Sequence, residues 1–144
     1  MKEIIILIFV LITLLCACGG GGSGNQGSSS PAVSYGTLAL SGGGTSITGT
    51  QFQATHSTYA AGTSTGNQYA WVANDGKALT VTDFGGGYAS IEFDWDTGNK
   101  SYMWYNTYTT GVTVGASSVT LNNITISGHL NTTSSLNLNG TLNY

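Results

Sequence analysis

Glu92, Asp94 and Asp96 alternate along one short stretch, and Asp94-Trp95-Asp96-Thr97-Gly98-Asn99 has the outline of the start of a calcium loop. Hard oxygen ligands at this spacing suit calcium, but a twelve-residue loop needs further acceptors and a Glu at its last position. Counting from Asp94, that position is Tyr105. Asp94 and Asp96 are therefore the only metal candidates, and a solvated acidic strand face running into a turn is the plainer expectation. Tyr102, Trp104 and Tyr108 fall on one side of an alternating stretch, with Met103 and Tyr105 on the other. Aromatic rings exposed on a sheet can stack a sugar or anchor a protein partner; rings in strands also simply cover their pleated neighbours. His56 and His129 are the only imidazoles, and no G-x-S-x-G elbow accompanies the many serines. A triad assembled from distant strands is defined by geometry and not by order, so a hydrolase stays as the third reading, behind two that involve no catalysis. No cofactor is expected.

These residues must be positioned by β structure. Gly, Ser, Thr and Asn make up about half of the 144 residues, and all four favour caps, turns or strands over helix interiors. Period-2 segments separated by Gly, Asn, Asp and Ser clusters recur along the second part of the chain, as in antiparallel all-β domains. Strands are expected near Tyr35–Leu40, Ser46–Ala54, Gln68–Asn74, Ala78–Phe84, Tyr88–Trp95, Ser101–Thr109, Val119–Ser127 and Ser134–Tyr144. Eight strands predict a two-sheet antiparallel sandwich, with a small eight-stranded barrel as the alternative. In Tyr88–Trp95 the residues Ala89, Ile91, Phe93 and Trp95 share the expected core face. Asp75-Gly76 between two apolar runs signals a short hairpin. The apolar phase jumps across Asn122-Asn123, which requires a bulge or a tight turn.

Charge excludes one class of partner. Only 6% of residues are charged, the formal net charge is −3, and the three cations are Lys2, Lys77 and Lys100, with no arginine. No basic stripe can form, so nucleic-acid binding through phosphate neutralisation is excluded. The four Asn-x-Ser/Thr matches, beginning at Asn99, Asn123, Asn131 and Asn139, are expected from an Asn/Thr-rich composition.

The amino terminus points to processing. Ile4 to Leu15 is an almost unbroken apolar run, and twelve helical residues reach about 18 Å, short of the roughly 30 Å hydrocarbon layer. It reads as the core of a signal peptide over residues 1–17. Leu15-Cys16-Ala17-Cys18 resembles the lipobox of bacterial lipoproteins, with Cys18 as the lipidated first residue of the mature chain. Cys16 fits less well, because it would place the bulky Leu15 just before the cut. The resemblance implies a thioether-linked diacylglycerol and an N-acyl chain on Cys18. Two or three chains would make membrane attachment stable where one is reversible. Gly19, in the place where Asp signals inner-membrane retention, implies the outer membrane. Residues 18–30 are Gly, Ser, Asn and Gln after the cysteine, a flexible tether, and residues 31–144 form one expected domain.

The whole resembles the small Gly/Ser-tethered lipoproteins of Gram-negative outer membranes. The leading expectation is a lipid-anchored envelope protein with a non-enzymatic structural or interaction role, its partners the membrane and an envelope protein or glycan. The alternative is a carbohydrate-binding module using Tyr102, Trp104 and Tyr108.

Overall fold

The structure is a computed structural model that describes residues 34–63 and 65–144. The leader, Cys18 and the tether lie outside the described residues. The elements in chain order are β1 (Gly36–Ser41), α1 (Thr45–Thr48), β2 (Gln51–Gln53), β3 (His56–Thr63), β4 (Gly66–Val72), β5 (Lys77–Gly85), β6 (Tyr88–Asp96), β7 (Ser101–Thr109), β8 (Val112–Val114), β9 (Ser118–Leu130) and β10 (Leu136–Asn143). Every pairing is antiparallel. The ladder runs β2-β1-β10-β9-β7-β6-β5-β4-β3, with β8 added beside β9. The protein is all-β, as the composition requires.

The ladder is one continuous sheet that curls on itself. β2 and β3 lie at opposite ends of the strand order yet follow each other in the chain, joined only by Ala54-Thr55. The Ala54 N–H donates to Gly36 O at 3.0 Å and the Thr55 N–H to Val72 O at 2.9 Å, so neighbouring residues belong to opposite ends of the sheet. Two residues span at most about 7 Å, and the two ends must therefore meet there. Contacts across the interior follow: Phe52 of β2 meets Phe93 of β6 edge-on at 5.6 Å, and the Trp71 indole N–H donates to Asn143 O of β10 at 2.7 Å.

β9 carries the corner. Its first part pairs with β10 from Ser118 to Ile126, and its last part pairs with β7 from Ser127 to Leu130. At the crossover stands Gly128, where a Cβ would lie 2.6 Å from Thr132 O; only glycine lets the two backbones approach that closely. The phase jump at Asn122-Asn123 is a bulge within this strand. Asn123 has φ 50°, and the register against β10 shifts between Leu138 and Gly140, so that Asn122 and Asn123 together face Asn139. The inward residues form one core, with Leu38, Phe52, Trp71, Leu79, Ile91, Phe93, Trp104, Ile126 and Leu138 essentially without solvent contact.

Three expectations change. The strand expected over Ser46–Ala54 begins instead with the helical turn α1, whose Thr48 N–H donates to Gly44 O at 3.1 Å, and only Gln51–Gln53 is extended. β3 and β8 add strands that the pattern did not mark: β3 is an edge whose residues are mostly exposed on both faces, and β8 has three residues. Among the described residues the count is thus ten rather than eight, and the hydrogen bonding does not divide into two separate sheets, because β9 is long enough to serve both halves. No helix of the described residues is long and apolar enough to cross a membrane.

Candidate functional site

The alternation of β6 sends Ala89, Ile91 and Phe93 into the core and Tyr88, Ser90, Glu92 and Asp94 to the outer face. Trp95, expected in the core, sits at its rim and is half-buried. Register extends the outer face sideways. Thr80 of β5, Glu92 and Tyr105 of β7 form one cross-strand row; Ala78, Asp94 and Met103 form the next. The Asp94 carboxyl is pushed up to about 8, first by burial among these neighbours and then by the charge and hydrogen bond of Glu92. Near neutral pH the carboxyl of Asp94 therefore holds a proton beside Glu92.

Asp94 and Asp96, the metal candidates, are not gathered with other ligands: among the described residues no three His, Cys, Asp or Glu side chains could hold an ion. Asp96 instead accepts the Gly98 N–H at 2.8 Å in the β6–β7 turn, which Thr97 closes by donating its hydroxyl to Lys100 O at 2.9 Å.

The three aromatics expected on one face separate. Trp104 is wholly buried, its indole N–H donating to Ser134 O at 2.8 Å and its ring set edge-on to Phe93 at 5.9 Å. Tyr102 shares that inner face at the rim, stacked on Trp104 at 6.1 Å with the Lys100 ammonium 5.1 Å from its ring. Tyr108 leaves the face altogether and is 71% exposed. The cause is a bulge: Asn106 pairs with Ile91 but Thr109 pairs with Ala89, and Tyr108 takes φ 53° to accommodate the extra residue. The platform of Tyr102, Trp104 and Tyr108 is therefore not assembled, because a bulge breaks the alternation on which it depended.

A different aromatic group is assembled. Tyr108 stacks on Phe84 of β5, with ring centroids 5.2 Å apart and planes 29° from parallel. Phe84 and Tyr88 flank Gly85-Gly86-Gly87, whose φ values of 80°, 66° and 82° form a hairpin tip that side chains would strain. Tyr88 is half exposed, and Tyr105 lies farther along the same face with its ring 6.4 Å from His129. Phe84, Tyr88 and Tyr105 were not singled out by spacing. A triple glycine bracketed by aromatics was the available signal for the first two.

Two other features lie outside this face. Lys77 is buried at the start of β5, paired with Asp75 and 5.0 Å from the Trp95 ring, whose indole N–H donates to Asp75 O at 3.2 Å. Partial burial works against ionisation of Asp75, but the hydrogen bonds and charge of Lys77 outweigh it and hold the carboxyl below its usual range. A cleft of about 270 Å³ beside this pair is lined by Gln51, Gln53, Thr55, Ala73, Asn74 and Asp75. His56 lies next to it, its Nδ1 3.3 Å from the Thr55 hydroxyl, and His129 stands exposed on the far part of β9. Neither imidazole hydrogen-bonds a carboxylate among the described residues.

Comparison of the chain with protein families, with curated proteins and with solved structures finds no match.

Proposed function

We propose that the protein is a lipid-anchored module of the bacterial cell envelope that acts by binding rather than by catalysis, and that the outer face of β5, β6 and β7 meets its ligand. Cys18 supplies the anchor, residues 18–30 the tether, and Gly19 the preference for the outer membrane. Architecturally, we read the domain as a flattened barrel left open along the seam between β2 and β3, between a two-sheet sandwich and a closed barrel.

One observation carries the binding role. Tyr108 is 71% exposed and adopts a left-handed φ that non-glycine residues avoid, at a conformational cost of about 1–3 kcal/mol. Stacking on Phe84 returns about 0.5–1.5 kcal/mol and still leaves most of the ring in water, whereas Gly or Asn would make the same bulge more comfortably. A ring held out from a rigid sheet is what recognition requires, because little side-chain freedom remains to be lost on contact.

Detergent phase partitioning of the expressed protein tests the anchor. Wild type should enter the detergent phase and Cys18→Ser should stay in the aqueous phase; equal partitioning of the two removes the lipidated cysteine from the proposal. Retention of the unlipidated Cys18→Ser protein on washed envelope fractions tests the face, and should fall at least tenfold when Tyr108→Gly is added.

A further inference from the structure

Resting on the reading of this face as a binding surface, we infer that its ligand is an uncharged glycan chain, with one pyranose ring stacked on Tyr108 and neighbouring hydroxyls bonded along the row of Ser90, Glu92 and Asp94.

The chemistry of the face selects this class. A stacked pair of rings blocks one side of Tyr108 with Phe84 and leaves the other open. The apolar underside of a sugar ring fits such a flat surface, while its rim presents hydroxyl groups outward. The adjoining positions offer matching groups: Ser90 lies opposite the buried Thr82, and Glu92 follows two residues along β6. A carboxylate accepts hydroxyl hydrogens in charge-assisted bonds, which are shorter and roughly twice as strong as neutral ones. Asp94, protonated beside Glu92, both donates and accepts.

Charge excludes the main competitors. Lys77 and Lys100 are the only cations of the domain. Lys77 is buried against Asp75 and Trp95, and Lys100 covers Tyr102 at the rim. With Glu92 and no cation on the outer face of β6, the surface offers no group that pairs with sulfated, phosphorylated or uronic polymers. A protein partner would call for a larger apolar centre. The other exposed aliphatic residues, Val72 and Leu130, stand at the two ends of the row of Ala78, Asp94 and Met103, with the Asp94 carboxyl between them, so they do not join the ring pair in one apolar centre.

Length argues for a chain rather than a single sugar. Ser90 to Asp94 covers about 13 Å at roughly 3.3 Å per residue, enough for more than one ring in line. All contributing side chains stand on paired strands, so the site exists before the ligand arrives.

Co-sedimentation of the mature protein in detergent with cellulose and chitin, as neutral polymers, and gel retardation by alginate, as an anionic one, test the inference. Binding to at least one neutral polymer is expected, with no retardation by alginate. Tyr108→Gly, which removes the ring and relieves the left-handed φ, should weaken neutral-polymer binding at least tenfold without lowering Tm. Glu92→Gln should weaken it several-fold, and Lys100→Gln should leave it unchanged. Suppose neither neutral polymer binds, while Tyr108→Gly still abolishes retention of the unlipidated Cys18→Ser protein on envelope fractions: the ligand is then not a glycan of this class, and the binding role stands. If Tyr108→Gly leaves that anchor-free retention intact as well, the face has no such role and both readings fall. Retardation by alginate equal to binding of the neutral polymers overturns the charge argument and the inference with it.

Discussion

At the residue scale, the two buried indoles act as long-range ties. Trp104 donates to Ser134 O and Trp71 to Asn143 O, each joining a strand to a segment far away in the chain. Trp104→Phe should cost about 2–3 kcal/mol in urea denaturation, because a smaller ring leaves a void and the Ser134 carbonyl loses its donor. Asp94 predicts the pH dependence. Its carboxyl ionises near 8 in the folded protein but near 3.9 in an unfolded chain. The folded state therefore holds the proton more tightly, so this contribution to stability is complete below about pH 4 and is lost as pH rises toward 8. Glu92 is the one charged group that raises it, and Met103, Tyr105, Ala78 and Thr80 complete its cross-strand surroundings. Asp94→Asn should flatten the decline. At pH 9 it should raise stability by on the order of 1 kcal/mol, about 4 °C in Tm for a domain of this size, as read by thermal melts across pH.

At the element scale, β3 is the exposed margin of the sheet. His56–Thr63 contains no Lys, Asp, Glu or Pro, the usual protections of an edge strand. Concentrated protein should associate through this strand. Thr58→Lys, at an exposed position, should raise the concentration at which light scattering appears while changing stability by less than about 0.5 kcal/mol. The same exposure explains why β3 was hidden in the sequence: with both faces wet, it has no apolar alternation to read. β6 was legible because one of its faces is wholly buried, and the Asp75-Gly76 hairpin because Gly76 needs φ 83°. β7 was legible as a strand but not as a surface. Alternation assigned Tyr102, Trp104 and Tyr108 to one side, and no pattern showed that this side is the core or that a bulge expels Tyr108 from it. The carboxyls of the face could be named from spacing, whereas its rings come from three strands that only the register brings together.

At the scale of the whole molecule, the pairing of β1 with β10 decides whether there is a domain. Gly36 lies opposite Leu142, and Leu136, Leu138 and Leu142 are fully buried. Ending the chain at Ser135 removes these side chains together with the partner that both β1 and β9 share. The truncated protein should show no cooperative thermal transition, whereas removal of a loop would leave one. The meander from β3 to β7 joins strands that are neighbours in the chain. The opposite half is different: holding Gly36 against Leu142 closes a loop of about a hundred residues, which costs ~4 kcal/mol of chain entropy and slows folding.

That pairing also sets a timetable. β1 has its main partner about a hundred residues farther along the chain, so the meander from β3 to β7 has its contacts to hand first, and the half of the sheet built on β10 closes after it.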